Sequence, residues 1–157
     1  MYENGNVLKA YKGGKAIIDN NTKIIADKFD YSKKTKILSA EGNVEIIDSL
    51  NKIITQSNKI IYFKNDEKYF SEGKTKITID NEYIINSKNV VIEINQNLIY
   101  SDENTTANDG ENNYYIAEKF RYLVKKKLFR GSKVSIKTNN EDNYFFEDVF
   151  INLETKE

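Results

Sequence analysis

The sequence predicts an antiparallel all-β stack assembled from repeated hairpins. Three observations lead there. Short runs alternate apolar and polar residues with a period of two, one phrase recurs about every 31 residues, and turn-forming pairs separate the runs at strand-length intervals.

The alternation comes first. In Thr75-Lys76-Ile77-Thr78-Ile79-Asp80, one face carries Thr75, Ile77 and Ile79, and the other carries Lys76, Thr78 and Asp80. In Gly131-Ser132-Lys133-Val134-Ser135-Ile136-Lys137, Val134 and Ile136 oppose Lys133, Ser135 and Lys137. Over residues 114–124, Tyr114, Ile116, Phe120, Tyr122 and Val124 fall on one face, with Glu118 as the exception. This is the pattern of half-buried strands, and Ile, Val, Tyr, Phe and Thr suit a pleated surface. With no Pro in the chain, nothing interrupts ladder hydrogen bonding.

The repeat orders these strands. Asp27-Lys28-Phe29-Asp30-Tyr31 is followed by Asn58-Lys59-Ile60-Ile61-Tyr62, and then by Asn89-Val90-Val91-Ile92. Ala40-Glu41-Gly42-Asn43-Val44 returns as Ser71-Glu72-Gly73-Lys74-Thr75 and as Asp102-Glu103-Asn104-Thr105-Thr106. Gly and Asn recur where a left-handed backbone is tolerated. Arg130-Gly131-Ser132 reads as a later copy, and Asn4-Gly5-Asn6-Val7 as an earlier one. The heptads IADKFDY (25–31) and IAEKFRY (116–122) are the first and fourth copies of one unit. In the KIIADKFDY strand that holds the first heptad, Ile24 and Ala26 take one face while Ile25, Phe29 and Tyr31 take the other, which calls for a bend or bulge near Asp27.

Turn signals complete the layout. They are Asn20-Asn21, residues 64–67, Asp80-Asn81, residues 95–97, Asp109-Gly110 and Asn139-Asn140. The segment 101–113 is the most polar and reads as a mobile loop or long turn, and Lys125-Lys126-Lys127 reads as strand. A unit of two to three strands repeated along the chain gives ~10–14 strands. The 157 residues fit one domain, 1–157, with no linker that divides it.

Composition bounds the function. Lys plus Arg and Asp plus Glu both number 24, so nothing favours nucleic acid. There is no His and no Cys, which rules out Ser-His triads and both His- and Cys-ligated metals and argues against an enzyme. No cofactor and no metal are expected. No apolar run approaches the ~18 residues of a membrane-spanning helix. The opening residues lack the apolar stretch of a signal peptide, so the chain is either cytoplasmic or a processed or partial piece of an exported protein.

The repeat phrases resemble those of the OstA-like family of Gram-negative bacteria, the periplasmic β-jellyroll proteins of lipopolysaccharide transport. The residues that carry the resemblance are Gly5-Asn6-Val7, Ile24 to Tyr31, and Lys36-Ile37-Leu38-Ser39-Ala40-Glu41-Gly42-Asn43-Val44-Glu45-Ile46. The match is closest over residues 4–65 and fades towards residue 104, while Asn112 to Leu153 looks more like the family member that carries the jellyroll ahead of an outer-membrane barrel. The cysteines that often link those two parts are missing here.

The resemblance implies a V-shaped jellyroll of two facing sheets whose apolar interior holds lipopolysaccharide acyl chains. It also implies a periplasmic location at the outer membrane. The partners would be other transport proteins, joined end to end by edge strands, and an outer-membrane barrel in the same chain or a separate one. A structural β-repeat or adhesin with a sealed interior is the alternative.

The candidate groove residues are Val44, Ile46, Ile77, Ile79, Ile116, Phe120, Tyr122, Val134 and Ile136. Any one of them also fits an ordinary core. Lys125, Lys126, Lys127 and Arg130, with Lys133, form the basic cluster that would meet lipid phosphates, although a solvated turn and edge weighs more heavily. Asp27 as a general base, and Asp102, Glu103, Asn104 and Asp109 as a calcium loop, are both outweighed by structural roles.

Overall fold

The structure, a computed structural model, describes residues 2–4 and 7–157, with side chains from Val7 onward. Gly5 and Asn6 of the earliest repeat phrase lie outside the described residues. The chain folds as an all-β antiparallel protein of sixteen strands and one short 3-10 turn among those residues.

After β1 (Tyr2–Asn4), the chain runs as ten legs between two arms. The first leg is β2 (Val7–Ala10) with β3 (Gly14–Ile17), and the second is β4 (Thr22–Ala26) with β5 (Lys28–Ser32). Then β6 (Ile37–Asp48), β7 (Ile53–Phe63) and β8 (Lys68–Ile79) each cross as one long strand. Three split legs follow: β9 (Tyr83–Lys88) with β10 (Val91–Glu93), β11 (Leu98–Ser101) with β12 (Thr105–Asn108), and β13 (Tyr114–Ala117) with β14 (Lys119–Leu123). The last two legs, β15 (Leu128–Lys137) and β16 (Asn143–Asn152), are again single strands.

The first arm has the order β1-β2-β5-β6-β7-β8-β10-β11-β14-β15-β16. The second has β3-β4-β6-β7-β8-β9-β12-β13-β15-β16. Because β8 and β15 belong to both arms, eight strands close a hydrogen-bonded circuit: β8, β10, β11, β14, β15, β13, β12 and β9. The all-β prediction holds. The long strands carry the ladder from one arm into the other, so one continuous sheet stands where two separate ones were expected.

The crossings explain the repeat. Four legs cross through two outward residues, at Ala26-Asp27-Lys28-Phe29, Ser57-Asn58-Lys59-Ile60, Ser87-Lys88-Asn89-Val90 and Ala117-Glu118-Lys119-Phe120. Four others cross between Ala40 and Val44, Ser71 and Thr75, Ser101 and Thr105, and Gly131 and Val134. At every one of these eight crossings the first inward residue is Ala, Ser or Gly. The inward residue on the other flank is larger, Phe29, Ile60, Val90 and Phe120 among them, so small and large side chains meet where the arms converge. A Cβ on Gly131 would meet Val134 Cγ2 at 2.7 Å and the Ala117 methyl at 3.4 Å.

Where the ladder breaks, hydroxyl groups and turn-like bonds satisfy the freed backbone. Asp27 N–H donates to the Gly42 carbonyl at 2.9 Å and Asn89 N–H to the Gly73 carbonyl at 3.0 Å. Ser71 Oγ accepts from Val90 N–H at 2.9 Å and shares a hydrogen bond with Thr75 Oγ1. Ser101 Oγ donates to the Lys88 carbonyl, and Ser87 pairs with Thr105 at 2.8 Å. Gly42, with φ of +79°, and Gly73, with φ of +77°, make the left-handed step that the Glu-Gly phrase encodes.

Away from the crossings the inward side chains are mostly large. Tyr62, Tyr69, Ile79, Tyr83, Tyr122 and Phe129 fill the space towards the turns, and all are buried. One cluster packs Ile24, Val44 and Ile46 of the second arm against Phe29, Leu38, Ile60 and Tyr69 of the first. Its neighbour packs Ile77, Ile79 and Ile85 against Val90, Ile99, Phe120 and Tyr122. Partly buried Ile92 touches both.

Three local expectations change. Residues 101–113 hold strand β12 between a crossing and a turn, because Thr105 and Ser101 are anchored in the buried hydroxyl network. Val124–Lys126 is a 3-10 turn, closed by Lys127 with φ of +48°. Ile116 faces out, 48% exposed, while Ala117 is 3% exposed and faces in. The crossing at Glu118 inverts the alternation, as the crossing at Asp27 does in the first heptad.

Candidate functional site

The turns form two rows along the wide side of the interior. One row holds residues 33–36, 64–67, 94–97, 124–127 and 153–156, and the other holds 18–21, 49–52, 80–82, 109–112 and 139–141. Several successive turns of a row are joined by backbone bonds, such as Lys64 N–H to the Lys36 carbonyl at 3.1 Å and Asp80 N–H to the Lys52 carbonyl at 3.0 Å. The local sequence supplies left-handed residues where these turns need them. Asp80 and Asn81 take φ of +53° and +57°, and Asn97 and Asn112 take +51° and +65°.

Two cavities open between the rows. The first, of about 90 Å³, is lined by Ile46, Ile53, Tyr69, Ile92, Leu98 and Val124, among others. The second, of about 120 Å³, lies against Tyr83, Ile85, Ala107, Tyr115, Phe129 and Ile151. Its polar rim is well ordered. Asp109 accepts from Glu111 N–H at 2.9 Å, Asn113 N–H at 3.0 Å and the Tyr115 hydroxyl at 2.9 Å. Burial pushes the Asp109 carboxyl up, but the donors from Asn113, Tyr115 and Glu111 together hold it below its ordinary value. Burial and the bond to Asp109 push the Tyr115 phenol well above its usual range.

A strap crosses beside this second cavity. Lys156 Nζ reaches Glu82 at 3.0 Å and Glu111 at 3.7 Å, and the Tyr83 hydroxyl donates to the Leu153 carbonyl at 3.2 Å. The turn 153–156 of one row is thereby tied to turns 80–82 and 109–112 of the other. The Lys156 pKa is raised by its hydrogen bond to Glu82 and by that carboxylate's charge. The pair is exposed, so salt screens it and its hold is weak.

The predicted residues distribute as follows. Val44, Ile46, Ile77, Ile79, Phe120, Tyr122 and Val134 are buried between the arms. Ile136 is half-buried near the end of β15, and Ile116 is outside. Lys125, Lys126 and Lys127 sit in the turn 124–127. Arg130 stands on the outer face of β15, 3.4 Å from Asp148 and over the Phe150 ring at 5.1 Å. Arg121 lies opposite it across the ladder, paired with Asp102 at 2.7 Å and stacked on Tyr100. Asp27 accepts from the Asn43 side chain at 2.9 Å and braces the crossing. Among the described residues no group of three or more acidic side chains is placed to hold a metal ion.

Sequence reasoning missed the tyrosines at 62, 69, 83 and 115, which line the wide side. Their signal was present: each lies within three residues of a turn.

No protein-family model matches the chain, and no curated protein is similar to it. Among solved structures, the TCP domain of Drosophila melanogaster SAS-4, in complex with a proline-rich motif of Ana2, is similar at 9% identity. The likeness covers 85% of this chain and 88% of that one, with a TM-score of 0.25, and bears on neither fold nor function.

Proposed function

We propose that this chain is a lipid-carrying module of lipopolysaccharide transport, a single V-shaped β-jellyroll that takes acyl chains between its two arms. The observation that carries the reading is the apolar interior between the arms, with two cavities opening into it between the rows of turns. The cavities together offer room for about seven water-sized groups. Acyl chains therefore enter by parting the two rows of turns, and the weakly held strap at Lys156 suits that motion. No catalysis is required of the module.

The edges of β2 and β3 at one end and of β16 at the other would pair with neighbouring transport proteins in the periplasm or with an outer-membrane barrel. Lys125, Lys126 and Lys127 would meet lipid phosphates at the rim. The resemblance of the repeat phrases supplies the lipid's identity, and the interior supplies the apolar site. A photo-crosslinking residue at Ile46, Ile79 or Phe120 in cells is expected to yield lipopolysaccharide adducts, and the same residue at Lys76 or Ser135 none. Equal labelling of both faces, or no labelling, refutes the proposal.

The second reading, a β-repeat interaction protein, draws on one feature: Tyr144, Phe145, Phe146 and Phe150 of β16 are all exposed. It expects no uptake of an acyl-chain fluorophore by the purified chain.

A further inference from the structure

Several lysines of the sheet stand opposite acids. Lys9 faces Asp30, Lys59 faces Glu72 and Lys68 faces Glu93 on neighbouring strands, and each couple forms an ion pair. Between β8 and β9 the register does the reverse, setting Lys74 opposite Lys88. Lys76 stands two residues further along the same outer face, opposite Asn86. Arg121 and Arg130 also face each other, but each has its own aspartate. Among the described residues Lys74, Lys76 and Lys88 have no ion-pair partner. Like charges directly opposite on a ladder weaken it, so the fold does not account for the three lysines.

All three line one open groove of about 770 Å³ on the outer side of the sheet. Its other polar groups are mainly amides: Asn43, Gln56, Asn58, Asn86 and Asn104. Asn43 donates to Asp27 at 2.9 Å, and Gln56 donates to Glu45, the acid on the wall, at 2.8 Å. The side chains of Asn58, Asn86 and Asn104 make no hydrogen bond among the described residues. Three uncompensated cations attract anions. Amides both donate and accept, which matches hydroxyl groups that do the same. The strands beneath, β6 to β9, are paired on both edges, so no free backbone edge is offered to a peptide. No aromatic ring lines the groove among the described residues, so none is offered to stack on a base.

We propose that this groove binds an acidic oligosaccharide, a sugar chain that carries carboxylate or phosphate groups. Lys74, Lys76 and Lys88 meet its anionic groups, and Asn58, Asn86 and Asn104 meet its hydroxyls. The groove follows the crossings, on the side away from the rows of turns. A lipid entering between those rows would keep its headgroup elsewhere, so the inference stands apart from the lipid-carrying reading.

The test uses the purified full chain and fluorescently labelled hexagalacturonate, read by anisotropy at low salt. Unlabelled pentamannose phosphate, maltohexaose and hexaglutamate serve as competitors. At least one acidic glycan is expected to bind, the tighter of the two naming the anionic group, and maltohexaose and hexaglutamate should be clearly weaker. Replacing Lys74→Gln, Lys76→Gln and Lys88→Gln together should weaken the glycan about tenfold or more. The same change of charge outside the groove, Lys34→Gln with Lys64→Gln and Lys119→Gln, should shift it less than about twofold. Asn86→Ala should weaken the glycan without altering hexaglutamate. Equal losses in the two triple variants would reduce the binding to general charge attraction. Hexaglutamate as tight as the glycans would make the ligand an acidic peptide, and maltohexaose as tight would leave the lysines without a part. Each of these results, or no binding of either acidic glycan, overturns the proposal. A control needs no ligand: the groove triple should melt no lower than the parent, and a clear loss would give the lysines a role in folding and overturn the inference as well.

Discussion

The two ends of the stack are built differently. At the start the arms finish separately: β3 ends one, and β2 with β1 ends the other. At the far end β15 and β16 each cross both arms as one strand, and the turn 153–156 is tied across the rows through Lys156. Burial follows the same contrast. Phe29 of the first heptad keeps 9% of its surface exposed, and Phe120 of the fourth keeps none. One repeated phrase thus serves a loosely closed region and a tightly closed one. What differs is the company each copy keeps.

The largest expected effect tests that contrast directly. Phe120→Ala should cost about 3–5 kcal/mol, from lost burial plus the cavity left behind. Phe29→Ala should fall at or below the low end of that range, because its site is less enclosed. Urea unfolding followed by tyrosine fluorescence reads both, and equal losses would erase the distinction between the ends.

Substitution at the crossings comes next. Gly42→Ala forces a Cβ to within 2.5 Å of Asp27 Oδ2 at a φ of +79°, whereas Gly73→Ala meets only the φ of +77° with open space around it. The first should cost about 2–3 kcal/mol and the second about 1 kcal/mol. Gly131→Ala, pressed against Val134 at 2.7 Å, should resemble the first.

Alkali should loosen the interior as a whole. Burial raises the Tyr62, Tyr69, Tyr83 and Tyr122 pKa values above the ordinary 10, that of Tyr122 to about 12. A folded-state pKa above the unfolded one gives stability that is fully present below pH 10 and is lost as pH climbs through the folded value. Unfolding by circular dichroism should therefore accompany tyrosinate absorbance between about pH 10 and 12. Ionisation of these four without unfolding would show that the interior is open to solvent.

The smallest effect concerns the strap. Ala107→Cys places a single thiol in a chain without native cysteine, on the wall of the cavity beside Lys156. Its maleimide labelling should quicken a few-fold with Lys156→Glu and with added salt. A thiol introduced beside the open end, at Ala16, should respond to neither change.

Much of this arrangement could be read from residue order. Alternation located the strands, and the 31-residue echo located pairs of legs. The bend at Asp27 was visible because Ile24 and Ala26 conflict with Phe29 and Tyr31. Ile116 was placed on the wrong face because the same bend was not carried to the fourth copy, where Glu118 performs it. The line of small residues was equally open to inspection: Ala26, Ser57, Ser87 and Ala117 in one series, and Ala40, Ser71, Ser101 and Gly131 in the other. A small residue alone does not say that it faces in; only its alignment across four copies does. The meeting of Lys74 with Lys88 was beyond the reach of alternation, since it depends on how β8 and β9 are set against each other.

The step of two legs per phrase has a consequence for how such a chain changes size. An out-and-back pair returns the backbone to the same row of turns, so removing or duplicating one pair preserves the inward setting of every other residue. Adding a single leg would send all that follows to the opposite side. Length here is counted in units of about thirty residues, and growth by whole phrases leaves both ends as they were.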